Sequence, residues 1–286
     1  MIKNPVVEAE MEQSEKAKLF RALHKGPKLL VLPNCWDAIS AKVFAHSGAQ
    51  AVATASASIS WARGVRDGEG LSLGDMIDAV ALICNSVDVP VTADMEKGFG
   101  ETPKEVGQAI AAAIAAGVVG INIEDSIDGG KQRPIADMQE RVSATRQAGV
   151  ETGVEIYINA RVDGYLLGLA GKSKEAGEQV FKDTVTRGKA WLEAGADCVF
   201  VPGVADINII SQLVGEIGGP VSVIIMDENT PTVSQLTDAG VVRISTGPRP
   251  MQAAMGCLQG IVPSIIDNGD FRFMKGVPGF GELQNL

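Results

Sequence analysis

Histidine is scarce: the 286 residues include only two, His24 and His46. A histidine-ligated metal centre and a Ser-His-Asp relay both depend on well-placed imidazoles, and this shortage leaves neither a basis. Cysteine is equally unhelpful. Cys35, Cys84, Cys198 and Cys257 are far apart with no C-x-x-C pair, so neither a zinc knuckle nor a disulfide framework is indicated, and buried free thiols are expected. Basic residues are outnumbered, 25 against 35 acidic, for a net charge of −10. With no basic run and no aromatic-interleaved patch, no nucleic-acid partner is expected. No stretch approaches eighteen uninterrupted apolar residues, and the opening "MIKNPVVEAEMEQSEKAKLF" carries acids where a signal peptide needs an apolar segment. A cytoplasmic protein with no membrane partner is expected. Its chemistry falls to carboxylates, Arg, Lys, Tyr and Ser.

What is abundant is apolar sequence, 45% of the chain, punctuated by 33 glycines. Eight short apolar runs bounded by turn residues read as strands: "LLVLPN" (29–34), "AVATAS" (51–56), "PVTADM" (90–95), "VVGINIED" (118–125), "EIYINARV" (155–162), "DCVFVPG" (197–203), "PVSVIIM" (220–226) and "VVRISTG" (241–247). Most are continuous rather than alternating, as parallel strands covered on both faces require. Amphipathic stretches lie between them, several closing on a glycine suited to a left-handed helix end. Eight such units predict an α/β chain folded as a single (β/α)8 barrel over residues 1–286. The barrel core spans about 29–250, an extra N-terminal helix covers 14–24, and a helical extension covers about 251–286. A doubly wound sheet is the alternative, but it would need a composition break or linker, and none is visible.

In such a barrel, function gathers at the C-terminal ends of the strands. Acids collect there: Asp67 after the second strand, Asp94 and Glu96 after the third, Glu124 and Asp125 after the fourth, and Asp163 beside Arg161 after the fifth. Residues two apart on a strand share a face, so Asp94 and Glu96 are expected to project together. A ring of carboxylates suits a hard divalent cation, Mg²⁺ or Mn²⁺, held by one direct ligand and others through water. The plainer reading of any one of them is a solvated loop acid or a helix cap. Arg161 ends an apolar run where a cation needs an anionic partner. Two partners are open to it: a ligand carboxylate or phosphonate, or an internal acid such as Asp163 or Glu124.

The segments "PNCWDAISAKVFAHSGAQAVATASASISWARGVRDGE", "ADMEKGFG", "GINIED" and "NARVDGY", continued by "AGADCVFVPG", resemble in order and spacing the isocitrate lyase and phosphoenolpyruvate mutase superfamily. That resemblance implies a Mg²⁺-dependent barrel that makes or breaks a C–C or C–P bond next to a 2-oxo or 2-hydroxy carboxylate through an enolate-like intermediate. It places the acidic metal shell on Asp67, Asp94, Glu96 and Glu124, with Asp94 as direct ligand. It makes Arg161 the ligand-binding arginine and, with Asp67 and Glu124, part of the catalytic set. The small-residue loop that touches the substrate carboxylate falls on Ala55, Ser56 and Ala57.

After Glu124 the chain departs from the family. Lyases carry a Lys-Lys-Cys-Gly-His type of signature there and mutases a Lys-rich gating loop with an essential Asn, whereas this chain has "EDSIDGGKQRPIADMQERV". Within that loop Lys131 or Arg133 is a candidate for a second carboxylate, Ser126 and Asp128 add polar groups, and Gly129 and Gly130 are candidate hinges. The leading expectation is a Mg²⁺-dependent lyase or decarboxylase acting on a small 2-oxo or 2-hydroxy di- or tricarboxylate. A phosphonopyruvate mutase or hydrolase and a non-catalytic 2-oxo acid binder are the alternatives. A homotetramer is expected, because "RPMQAAMGCLQGIVPSIIDNG" has more apolar residues than one barrel-covering face needs, and because the resemblance implies a terminal helix exchanged between subunits.

Overall fold

The computed structural model describes residues 11–169, 171, 173–267 and 269–286. Helix α1 (Gln13–Leu23) precedes the first strand, followed by β1 (Leu30–Leu32), β2 (Asn34–Cys35), α2 (Ala38–His46), β3 (Val52–Thr54) and α3 (Ser56–Ala62). Then come α4 (Leu73–Cys84), β4 (Val91–Asp94), α5 (Pro103–Ala115) and β5 (Gly120–Glu124). A hairpin of β6 (Ser126–Ile127) and β7 (Lys131–Gln132) leads to α6 (Ile135–Thr152) and β8 (Tyr157–Arg161). The chain continues through α7 (Lys174–Glu193), β9 (Cys198–Phe200), α8 (Ile207–Ile217), β10 (Val221–Ile224), α9 (Val233–Asp238) and β11 (Arg243–Ser245). It finishes in α10 (Arg249–Ile266) and α11 (Phe280–Gln284).

Every pairing in the main sheet is parallel, in the order β1-β11-β10-β9-β8-β5-β4-β3-β2. Its two ends are consecutive pieces of one chain. Pro33, which has no N–H to donate, separates them: Leu30 lies opposite Arg243 on one side, and Asn34 lies opposite Ala53 on the other. β1 and β2 therefore act as one stave, and the sheet closes into a barrel with eight positions. All eight predicted strands are present: the first is split at Pro33 and ends one residue later than expected, at Cys35, and the other seven are trimmed to their hydrogen-bonded centres.

Helices α2, α4, α5, α7, α8 and α9 each open on a side chain that caps the first turn. Helix α5 opens on Thr102, whose side chain accepts from the Glu105 amide while Glu105 accepts from Thr102, with Pro103 in the first turn. Its buried residues, Val106, Ala109, Ile110, Ala113 and Ile114, recur at three- and four-residue spacing against the barrel. Glycine in the left-handed conformation ends α6 at Gly153 and α8 at Gly218. Helix α10 is different. It buries only Met251 and leaves Leu258, Val262, Ile265 and Ile266 exposed. Among the described residues, no helix is long and apolar enough to cross a membrane.

Candidate active site

Asp94 is the last residue of β4 and is half-buried. Its Oδ2 accepts a 2.8 Å hydrogen bond from Ser56 Oγ, and its backbone N–H donates to Thr54 Oγ1 at 2.9 Å. Asp67 sits in the loop after α3, beside Gly68, whose φ of 91° suits glycine. Although Asp67 as a residue is exposed, its carboxyl is crowded. Loss of solvent and the Asp94 charge raise it above the usual range, against Ser56, the Gly68 amide and Arg161.

These groups border a cavity of about 210 Å³ at the C-terminal mouth of the barrel. Ser56, Asp67, Asp94 and Arg161 line one part of it, and Leu166, Phe200, Ile224 and Met226 form an apolar wall. Ala55 and Ala57 also line it. The expected small-residue loop is in fact the start of a helix: Ala55 precedes α3, and its N–H already donates to the Cys35 carbonyl at 3.1 Å. Only the amides of Ser56 and Ala57 remain for a ligand, because the first N–H groups of a helix have no partner within it.

Glu96 does not share a face with Asp94. The strand ends at Asp94, and Glu96 adopts a left-handed backbone (φ 48°), so the period-two expectation stops applying one residue too early. The positive-φ residues other than glycine among the described residues are Glu69, Glu96 and Phe99, and they are tied together. The Glu69 amide donates to Glu96 Oε2, and the Phe99 amide donates to Glu69 Oε1 at 2.9 Å. Such backbone is costly and is retained where the surroundings enforce it. Burial, with Asp94 next in effect, pushes the Glu96 carboxyl up to about 8, and its Oε1 is buried without a hydrogen-bond partner.

Arg161, at the end of β8, has both internal partners. Its Nη1 lies 2.7 Å from Glu124 Oε2 and its Nε 2.5 Å from Asp163 Oδ1, with Phe200 stacked 5.9 Å from the guanidinium carbon. Burial works against its charge, but Glu124 and Asp163 outweigh it and hold the guanidinium more firmly protonated than usual. Glu124 also accepts from Ser126 Oγ, and burial raises its carboxyl against the pull of Arg161.

Asp125 belongs to the scaffold rather than to the ring. Fully buried, it accepts from the Asp163 amide, Gln132 Nε2 and Arg187 Nη1 at 2.9, 2.9 and 3.2 Å, fastening the β6–β7 hairpin to the barrel. The loop with candidate hinges at Gly129 and Gly130 is a short hairpin that turns at those two glycines. Its cations do not line the cavity: Arg133 Nη1 donates to Asp137 Oδ2 at 3.0 Å and Lys131 is exposed, while Asp128 pairs with Lys97 at 2.8 Å.

The donors present fit a divalent cation bound largely through water. Among the described residues, no three Asp, Glu, His or Cys side chains converge closely enough to ligate one ion directly. Yet Asp94 reaches the cavity beside Asp67, both Asp67 and Glu96 are raised by crowding, and Glu96 Oε1 lacks a partner. One direct carboxylate with further acids beyond a shell of water is the arrangement Mg²⁺ tolerates best.

Asn34, Asn122 and Arg249 also line the cavity, and reasoning from acids alone passes over them. The two asparagines had a signal. Each is an amide on an inward-facing position of an apolar strand, and a buried amide is kept only where it has partners. Asn34 accepts from Thr246 Oγ1 and the Thr246 and Gly247 amides, pinning the loop after β11 to the start of β2.

Residues 20–266 match the sequence model of phosphoenolpyruvate phosphomutase. The chain belongs to that family, within the isocitrate lyase and phosphoenolpyruvate mutase superfamily. A solved phosphonomutase-type structure from Burkholderia cenocepacia J2315 is 38% identical, with a TM-score of 0.82 over 88% of this chain and 99% of that one. An uncharacterized protein of Mycobacterium tuberculosis is 31% identical across 82% of this chain and 84% of its own length. Phosphonopyruvate hydrolase, solved with oxalate and Mg²⁺, shares the fold at 22% identity and a TM-score of 0.80 over 94% and 95% of the two chains. Other superfamily members are 2-methylisocitrate lyases and a 2,3-dimethylmalate lyase, so lyases, mutases and a hydrolase all use this phosphoenolpyruvate mutase barrel.

Proposed function

We propose that the chain is a Mg²⁺-dependent (or Mn²⁺-dependent) lyase or decarboxylase. It cleaves a C–C bond next to the carboxylate-bearing carbon of a small 2-oxo or 2-hydroxy di- or tricarboxylate, passing through an enolate-like intermediate. The observation that carries this reading is the meeting of Asp94 and Asp67 with Arg161 around one small cavity. Asp94 would hold the ion directly, with Asp67, Glu96 and Glu124 reaching it through water. Bound there, Mg²⁺ supplies positive charge that polarises the substrate carboxylate and the oxygen on the adjacent carbon.

The remaining work belongs to the chain. Arg161, held in place by Glu124 and Asp163, offers its outer N–H groups to the reacting anion and opposes the negative charge that develops there. The amides of Ser56 and Ala57 donate to the substrate carboxylate. Leu166, Phe200, Ile224 and Met226 exclude water from the far side and accept the substrate's carbon skeleton. Binding of oxalate and Mg²⁺ by phosphonopyruvate hydrolase supports the ligand class, since oxalate, like a pyruvate enolate, sets a carboxylate beside a planar carbon that carries an anionic oxygen.

The test is turnover with Mg²⁺ over a panel of 2-oxo and 2-hydroxy di- and tricarboxylates plus phosphonopyruvate, detecting pyruvate or glyoxylate. Release from a C–C substrate, lost in Asp94→Ala, is the expected result. Turnover of phosphonopyruvate alone would establish the C–P reading instead, which the family description and the 38% identical phosphonomutase-type structure favour. Thermal stabilisation by 2-oxo acids without turnover of any of them would make the protein a binder and end the proposal.

A further inference from the structure

Beneath the cavity lies a second layer of inward-facing polar side chains. Asn122 precedes Glu124 by two residues on β5, so it points the same way one step lower, and it lines the cavity floor. Its Oδ1 accepts from two directions: Asn159 Nδ2 at 2.8 Å and Arg243 Nη2 at 3.2 Å. Asn159 is fixed in turn, because its Oδ1 accepts from Ser222 Oγ at 2.8 Å. An asparagine amide is ambiguous by shape alone, but a guanidinium can only donate, so the atom facing Arg243 must be the oxygen. The Asn122 Nδ2 group is then turned away from this network, and it is not among the buried polar atoms left without a partner. It opens to the cavity.

Arg243 is unusual by the same accounting. It is fully buried at the start of β11, and its Nε and Nη1 have no hydrogen-bond partner. A guanidinium so poorly compensated is expensive and needs a reason. Fixing one amide, and placing positive charge one layer below an anion site, is such a reason.

We propose that Asn122 is a ligand-binding residue of this cavity, presenting its Nδ2 hydrogens to the ligand oxygen that carries or gains negative charge, and that Arg243 is the positioning residue that locks this orientation from below. The inference rests on the 2-oxo acid reading of the site. It adds a neutral donor on the floor to the charged Arg161 on the wall, which is the geometry an oxyanion needs.

The experiment is calorimetric titration of oxalate into the full chain with saturating Mg²⁺, with melting temperatures measured alongside. Asn122→Ala should weaken oxalate binding about tenfold, the factor for losing one hydrogen bond to a charged group. Asn122→Asp is the sharper variant: its carboxylate can pair with Arg243, so the fold should be as stable as before, yet the donor is gone and binding should fall at least as far. Arg243→Met should weaken oxalate in the natural background and have no further effect in the Asn122→Ala background, a coupling that a purely structural role would not produce. Arg243→Lys, which keeps a donor for Oδ1, should recover part of the loss. Unchanged oxalate affinity in both Asn122 variants overturns the inference and leaves the proposed function standing. Equal losses from Arg243→Met in both backgrounds remove Arg243 from its role. A natural protein that binds no oxalate refutes the 2-oxo acid reading and this inference with it.

Discussion

Arg161 and Glu124 are locked in an ion pair, Nη1 to Oε2 at 2.7 Å, on neighbouring strands in register. Asp163 completes the clamp from the following loop. The guanidinium therefore stands in one orientation before any ligand arrives, which lowers the cost of ordering it on binding. Arg161→Lys keeps the charge but loses the planar fork, and kcat/KM should fall by ~2–4 kcal/mol in transition-state terms, or about 30- to 1000-fold. Steady-state kinetics on whichever substrate the panel identifies measures this directly. A Lys variant within twofold of the natural protein would remove Arg161 from the reaction.

Glu96, proposed to reach the cation through water, ties stability to pH. Its ordinary value is 4.5, and the fold pushes it up to about 8 through burial and then the Asp94 charge. Between those values the folded chain holds a proton that the unfolded chain has lost. Stability should decline as pH rises through this window and level off above it. A cation near Glu96 removes that penalty by displacing the proton, so stabilisation by Mg²⁺ should grow from pH 6 to pH 8.5, with affinity rising by up to about tenfold per pH unit for one displaced proton. Melting curves with and without Mg²⁺ at several pH values are the check. Glu96→Gln should flatten the dependence.

The cysteines should be spectators. Cys35, Cys84 and Cys198 are buried, and burial pushes each thiol up to about 12, far from a useful thiolate at neutral pH. Cys257 is exposed on α10. Replacing each by Ala should leave turnover nearly intact, and iodoacetamide under native conditions should label Cys257 alone. Loss of activity in any one variant would point to cysteine acid–base chemistry and against the mechanism given above.

The exposed apolar face of α10 predicts self-association. Leu258, Val262, Ile265 and Ile266 on the helix, with Phe271 and Phe280 beyond it, are too many exposed apolar side chains to leave facing solvent. Light scattering should give about four times the 29.9 kDa of one chain. A single-chain mass at micromolar concentration would contradict the homotetramer.

The barrel was legible because its strands are continuous apolar runs with glycine-marked helix ends, a pattern that survives without knowledge of tertiary contacts. The interruption at Pro33 was also visible as a proline, but its effect, a strand that changes neighbours midway, depends on ring closure and not on local sequence. Asp94 and Arg161 meet at the cavity because strand ends in a barrel converge, and Asp67 joins them from the loop after α3. Glu96 was misplaced relative to Asp94 because alternation holds only while the backbone stays extended, and the turn begins at once. Asp125 and Glu124 are adjacent in sequence yet face different surroundings, one fastening a hairpin and the other pairing with Arg161. Asn122 is not marked by the sequence pattern of acids, because an amide carries no charge. Its significance lies in the partners of its oxygen, contributed by β8 and β11.

The most direct test of the central claim is calorimetric titration of oxalate into the natural protein and Asp94→Ala, each with and without Mg²⁺. Tight binding is expected only for the natural protein with Mg²⁺, and weak or no binding in the other three titrations. Equal affinity without the metal, or in Asp94→Ala with it, would show that the acids at the barrel mouth do not build a metal-dependent 2-oxo acid site.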